Sequence, residues 1–385
     1  MEQKNMAKTF VLVKILQNIG SSWMFSTYVL FLTTSGLSLF QANILNLLYM
    51  SVSTVLDPFT GNLGDRIGQR KIYMTGLLFW AIGMTVYGLT NWFLIFAIAE
   101  ITSAVGHAFM SEALESWLRN QTDEEVTHKA LTTSQTWGKL ATIPAAILGG
   151  WIGAKYGFGI PWFLAGATSL VCLIISWQQL RKYPDKIEEE KASPIEMSVW
   201  SIAKNAWKEP VLKRSFILAA LITAAVQPFN MFWSVIFKEA SGKADWLGLL
   251  WMGIALAAAL GSYLAKKWPV NSKSLAMIIV TIGVPMCLTV IKGNWIVLML
   301  IPFIIHEIGR SSWLPILFSY TNRKIDSRIR TSVNSLRSSA CTLGAAGGLL
   351  VSGGLTNWIS PVSVWGVSAV MLLLIAIWVW RWNHD

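Results

Sequence analysis

Twelve stretches of this chain, most of them apolar around their whole circumference, run for close to the twenty residues that a helix needs to cross a bilayer. No other feature constrains the fold as much. They fall at 9–33, 40–62, 72–90, 92–117, 129–153, 158–180, 215–237, 245–265, 274–291, 295–319, 332–354 and 360–381. A soluble helical protein would confine its apolar residues to one stripe of each helix. It would also carry about a quarter charged residues to cover its surface, whereas this chain has 13% and a mean hydropathy of +0.51. Lipid needs no polar cover, so the deficit and the blocks have one explanation.

Twelve spans put both termini on one side, and lysine and arginine choose the side. With the N-terminus in the cytoplasm, the cytoplasmic segments hold 23 of the 31 basic residues. The outer loops hold only Lys155, Lys238, Lys243 and Lys292. That asymmetry is the positive-inside pattern, and it predicts a multi-pass protein of the inner (cytoplasmic) membrane with both ends inside. It also accounts for the net charge of +11, so the basic balance is no sign of nucleic-acid binding. Lys4 and Lys8 precede a long apolar run without a small-residue cleavage site, which reads as a retained first span. Cys172, Cys287 and Cys341 lie in apolar segments without metal-ligand spacing, so they read as packing residues, with no metal site and no cofactor implied.

The longest polar stretch, 181–214, divides the chain into a six-span half at 1–180 and a second at 215–385. Residues 185–191 are charge-rich. Pro194 to Lys208 places Ile195, Val199, Ile202 and Trp207 at near-helical spacing, which predicts an amphipathic helix on the cytoplasmic face of the lipid bilayer. The halves echo each other: glycines close the second and eighth spans at Gly61 and Gly261, 200 residues apart. Parallel six-helix repeats would produce this.

Residues 61–71 read Gly-Asn-Leu-Gly-Asp-Arg-Ile-Gly-Gln-Arg-Lys. Gly61 and Gly68 permit close helix approach and a tight turn. Asp65 is an anion suited to a helix N-terminus. The stretch resembles the G-x-L-a-D-r-x-G-r-r/k loop between the second and third helices of the major facilitator superfamily. Gly61, Leu63, Asp65, Arg66, Gly68, Arg70 and Lys71 fall on its positions. The resemblance implies an all-α membrane protein with twelve transmembrane helices in two pseudo-symmetric six-helix bundles. It further implies a conformational gate, with Asp65 set against the start of the eleventh span near Thr331 and Arg66, Arg70 and Lys71 facing acidic partners or headgroups.

Ala108-Phe-Met-Ser-Glu-Ala-Leu-Glu-Ser-Trp-Leu is similar to the A-F-x-S-G-A-x-E-A-W-L stretch of bacterial facilitators labelled as drug exporters. Residues 57–61 and 330–335 resemble that subgroup's E-I-P-T-G and R-A-T-v-l-S. Two departures bear on mechanism. Glu100 stands where drug–proton antiporters of the superfamily carry an arginine. Their G-P-x-x-G-G of the fifth helix is here Ala145-Ala-Ile-Leu-Gly-Gly.

Ionisable groups within a span are costly, at least ~2.5–3.5 kcal/mol, and normally face a cavity or a partner. Glu100 and His107 share a face of the fourth span. Lys139 lies midway along the fifth. His306, Glu307 and Arg310 lie midway along the tenth, the last two at the i, i+3 spacing that allows pairing. Gln227, Pro228, Asn230 and Trp233 suggest a polar break in the seventh span. These residues are the candidates for a substrate and proton-coupling site, with Glu100 and Glu307 as proton carriers and His107 or His306 as relays. Lys14, Asp57, Glu112, Glu115 and Arg337 lie nearer the cytoplasm and suit gate salt bridges or snorkelling.

The expected function is a secondary carrier, acting as a monomer on a small-molecule substrate by rocking its halves about a central site. Proton-coupled efflux of an amphiphilic or drug-like compound leads. Import of a small organic anion, which Lys139, Arg310 and Arg337 would suit, and a non-transporting sensor are the alternatives. No HExxH, GxSxG or P-loop motif suggests an enzyme.

Overall fold

A computed structural model describes residues 2–185, 204, 206–292, 296–323, 325 and 330–382. Among these residues there are fourteen helices and no strand. They are α1 Glu2–Ser22, α2 Tyr28–Thr34, α3 Leu39–Ile67, α4 Gln69–Leu89, α5 Phe93–Ser111, α6 Ala113–Gln121, α7 Glu124–Tyr156 and α8 Ile160–Leu180. After the linker come α9 Pro210–Ser241, α10 Leu247–Ala265, α11 Ser272–Lys292, α12 Ile296–Asn322, α13 Arg330–Leu355 and α14 Pro361–Trp380. Twelve spans result, because α1 with α2, and α5 with α6, each make one broken span. Nine helices among the described residues meet the length and hydropathy needed to cross a membrane. The other three spans, α1–α2, α7 and α12, carry many of the charged and hydroxyl-bearing residues.

Local chemistry explains several ends. Ser38 and Gln41 form a reciprocal capping box on α3, Asp123 caps α7, and Ser360 precedes Pro361 at the start of α14. The expected loop at 61–71 is almost entirely helical. Helix α3 runs to Ile67, and Gly68 alone turns the chain into α4 at φ 101°, a conformation that favours glycine. The first span, read as continuous, is interrupted at Trp23–Thr27. Ser26 Oγ donates to the Ala146 carbonyl (3.0 Å) and Trp23 Nε1 to Thr168 Oγ1 (3.1 Å), so the gap is pinned to α7 and α8. The polar break expected at Gln227–Trp233 is absent, since α9 continues through Pro228. Pro228 leaves the Ala224 carbonyl without its helical N–H. Gly348 of α13 brings its backbone against that carbonyl, and Trp365 Nε1 donates to the Pro228 carbonyl at 2.9 Å. Tertiary contacts thus carry the helix past its proline.

The chain divides into two compact units, Met1–Ala192 with Lys243–Met252, and Ser193–Gly242 with Gly253–Asp385. Residues 243–252 belong with the first because Gly248 lies against Ala146 and Ile147 of α7, and the Trp251 ring is 5.4 Å from Phe25. In the first unit α4 packs on α5 and α8, α1 on α7 and α8, and α3 on α5. In the second, α11 packs on α12 and α14, and α9 on α13 and α14. Four of the five pairings recur helix for helix, and between α10 and α12, the counterparts of α3 and α5, Ser312 Oγ donates to the Gly261 carbonyl at 2.8 Å. Close approach rests on small residues: Gly76 of α4 faces Gly106 of α5, and a Cβ on either would lie within 2.8 Å of the other's carbonyl oxygen. The amphipathic segment expected at 194–208 lies mostly outside the described residues. Of its end, Ala206 packs with Leu212, Phe216, Ile325 and Val333 in the second unit.

Candidate functional site

In the first unit, one end is formed by the α3–α4 junction at Gly68, here the near end, and the far end by the α2–α3 and α4–α5 turns. Glu100, the eighth residue of α5, is 5% exposed near the far end. Three other helices close around it. The interruption of the first span starts α2 at Tyr28, whose hydroxyl donates to Glu100 Oε1 at 3.2 Å. Tyr87, in the last turn of α4, stacks on Trp162, in the first turn of α8, with centroids 4.1 Å apart and planes 14° apart. Phe31 and Phe96 fill the remaining sides, 5.8 Å apart and edge to face. The Tyr87 hydroxyl neighbours Glu100 and Tyr28 but completes no hydrogen bond of ordinary geometry. No Lys, Arg or His stands within ion-pair distance of Glu100 among the described residues.

His107, two turns nearer Gly68 on the same helix, is exposed and lies 5.7 Å from the ring of Tyr49 and 6.3 Å from that of Trp80. Lys139 is exposed on α7 and is not brought to either group. Of the expected gate residues, Lys14 pairs with Glu115 at 3.7 Å, and the Asp57 carboxylate accepts from Ser111 Oγ at 3.5 Å. Glu112 and Arg66 are exposed. Gly61 and Asp65 are helical residues of α3, but the contact expected between Asp65 and the start of the eleventh span lies outside the described residues. Arg70 has a partner the sequence did not reveal: Asp185 lies 3.1 Å from its guanidinium, and the Leu180 carbonyl accepts from Nη1 at 2.8 Å. Asp185 also sits under Gly68, where a side chain would collide with its carboxylate.

The second unit treats its carboxylate differently. Glu307, 2% exposed on α12, accepts two hydrogen bonds from the Arg310 guanidinium, the Nε one at 2.8 Å. Arg310 Nη1 donates to Asn230 Oδ1 at 2.6 Å, so Asn230 of α9 completes the cluster. His306 is fully buried against Phe229 and Phe303. Its Nδ1 lies 2.9 Å from the Ile282 carbonyl, so Nδ1 bears the proton and Nε2 is left unpaired, 4.0 Å from Glu307 Oε1. Gln227 and Trp233 are buried on α9 without joining this cluster. Arg337 is 4% exposed and pairs with no carboxylate among the described residues. It donates to Thr321 and Asn334 and lies 4.4 Å over the Phe318 ring.

Sequence spacing places Glu100 with His107 and Glu307 with Arg310. It does not reveal Tyr28, Tyr87, Trp162, Asp185 or Thr321, because each reaches its partner through the tertiary fold. A hydroxyl such as Tyr28 inside an apolar span is the one local signal of this kind. Among the described residues no group of three or more His, Cys, Asp or Glu could hold a metal ion.

A stretch of 122 residues is 28% identical to multidrug resistance protein 2 of Bacillus subtilis, covering 32% of this chain and 30% of that protein. Multidrug resistance protein MdtG of Escherichia coli is 23% identical over 125 residues, 32% of this chain and 31% of its own. The chain therefore matches about a third of the length of these relatives. Among solved structures, the nucleoside transporter NupG superposes with a TM-score of 0.79 at 13% identity, over 99% of this chain and 100% of that one. A bacterial homologue of the human lysosomal transporter Spinster gives 0.72 at 14%, over 98% and 94%. At such identities the likeness shows the fold, and it is that of membrane transporters. Residues 11–326 match the major facilitator superfamily, and with the twelve-span plan, the chain belongs to that superfamily as a multi-pass membrane transporter and not an enzyme.

Proposed function

We propose that this transporter exports an amphiphilic small molecule from the cytoplasm in exchange for protons, as a monomer in the cytoplasmic membrane with both termini inside. The observation that carries the reading is the setting of Glu100. It is a buried carboxyl group with a tyrosine hydroxyl on one oxygen, aromatic walls and no cation within ion-pair distance among the described residues. Such a group can lose its charge only by taking up a proton. The charge of Glu307 is instead answered by Arg310. Partial similarity to two multidrug resistance proteins supports the substrate class. The lysine and arginine distribution supports the orientation.

The test uses proteoliposomes and ethidium as the amphiphilic probe. An imposed pH gradient should drive ethidium against its concentration gradient, and Glu100→Gln should abolish this while leaving ethidium counterflow intact. Uptake that ignores the gradient, or a fully active Glu100→Gln, overturns proton coupling. Absence of counterflow in the wild type overturns ethidium export. Import of an organic anion is less well supported, since Arg310 and Arg337 already have internal partners and Lys139 is exposed on α7.

A further inference from the structure

On α3, Asn46, Tyr49, Ser53 and Asp57 follow one another at i, i+3, i+7 and i+11, which is one face of a helix. On α5, Glu100, His107 and Ser111 stand at i, i+7 and i+11. The two helices are in contact and run in the same direction, so the stripes stay in step over eleven residues, or about 16 Å. Their register is set by two contacts. Ser53 Oγ lies 3.4 Å from the Ala104 carbonyl, and Ser111 Oγ lies 3.5 Å from Asp57 Oδ1.

Polar groups line this seam from end to end. At the far end Tyr28 bonds Glu100 and also neighbours the Asn46 amide. Tyr49 neighbours the Ser53 hydroxyl and faces the His107 ring at 5.7 Å. His107 and Asp57 lie within electrostatic reach of each other. Exposure is graded along it: Glu100 is buried, Tyr49 is half-buried, and His107 and Asp57 are exposed. Packing alone does not account for this, because small residues and hydrogen bonds between uncharged side chains suffice to join two membrane helices, whereas ionisable groups such as Glu100 and Asp57 add a cost that packing does not require.

We propose that the facing stripes of α3 and α5 form a proton path from Glu100 to Asp57 by way of Tyr28, Asn46, Tyr49 and His107. The proposal rests on Glu100 being the proton carrier. In each transfer one O–H or N–H bond breaks as the next forms. Asn46 and His107 take the proton on one atom, release it from another and return to their starting tautomers before the next transfer. The net change is a carboxyl proton lost by Glu100 and gained by the Asp57 carboxylate, which passes it to water at the near end. The titratable groups facing Glu100 are Tyr28 of α2, Tyr49 of α3 and Tyr87 of α4. Those facing His107 are Tyr49 and Asp57 of α3 and Lys14 of α1, the last paired with Glu115 of α6. The path therefore lies entirely within the first unit.

The experiment is infrared spectroscopy of the full chain in nanodiscs after transfer from H2O to D2O. The Glu100 carboxyl band is identified by its loss in Glu100→Gln, and its rate of deuterium exchange is followed. Tyr49→Phe and His107→Gln should each slow that exchange by about tenfold or more, while Thr102→Ala, off the seam on α5, should not. Asn46→Leu, which blocks the seam without touching Tyr49 or His107, should slow it as well. Wild-type exchange rates in Tyr49→Phe, His107→Gln and Asn46→Leu overturn the path and leave the carrier role of Glu100 standing. Equal slowing by Thr102→Ala also overturns it, by showing a general effect of rigidity. Absence of any Glu100-dependent band overturns the carrier role, and the path with it.

Discussion

The two units pack their helices by one scheme yet handle a buried carboxylate in opposite ways, and a single helical turn makes the difference. Gly106 and Gly309 are each the fourteenth residue of their helix, α5 and α12, and each lies against the helix before it. His107 and Arg310 follow as the fifteenth. In the second unit the carboxylate, Glu307, is the twelfth residue, three before the arginine, and the side chains meet. In the first it is the eighth, Glu100, seven residues from His107. That separation is two turns along the axis, too far for direct contact, so Glu100 is met by tyrosines from elsewhere. One fold can thus hold a closed ion pair or an unpaired acid at nearly the same place.

Breaking the pair should have the largest effect. Arg310→Met leaves Glu307 buried without its cation and should cost about 3–5 kcal/mol. This would be read as a lowered unfolding temperature in detergent, and Glu307→Gln combined with it should restore most of the loss. If the double variant is no better than Arg310→Met, the pair does not act as a unit. The equivalent glycines come next. Gly106→Ala would push a methyl onto the backbone of Trp80 and Gly76, at 2.6 and 2.7 Å, and should cost about 1–3 kcal/mol. Gly309→Ala mainly meets the side chains of Thr281 and Ile282, which can move, so its cost should be smaller in the same assay. Equal losses would contradict this difference between the units.

Tyr28→Phe removes one hydrogen bond from Glu100 and should cost about 1 kcal/mol. A loss as large as that of Arg310→Met would mean that the first unit depends on its acid as much as the second depends on its ion pair. Smallest of all, Glu115→Gln should change stability by ~0.5 kcal/mol or less, because its pair with Lys14 is loose and partly exposed. A larger loss would give the near end of the first unit a structural ion pair of its own.

Several elements are legible in the order of the residues. Span positions follow from apolar length, and the Glu307–Arg310 pair from its spacing. Where such a reading fails, a tertiary contact overrules a local rule. Pro228 and its polar neighbours look like a break, but Gly348 and Trp365 support the helix there. The first span looks continuous, but bonds to α7 and α8 hold it open at Trp23–Thr27. Asp185 reads as part of a solvated linker, yet it neutralises Arg70.

That the chain crosses a membrane twelve times, to which superfamily it belongs, and which ionisable groups lie within the spans all follow from the amino-acid sequence. Apolar length, motif and helical spacing are properties of neighbouring residues and can be read along the chain. Which of those groups meet an opposite charge, and which do not, depends on the way the helices pack. The residues around Glu100 come from three other helices, Tyr28 being 72 residues away. Whether a carboxylate finds a cation or a hydroxyl depends on which helices meet, and no local pattern carries that information.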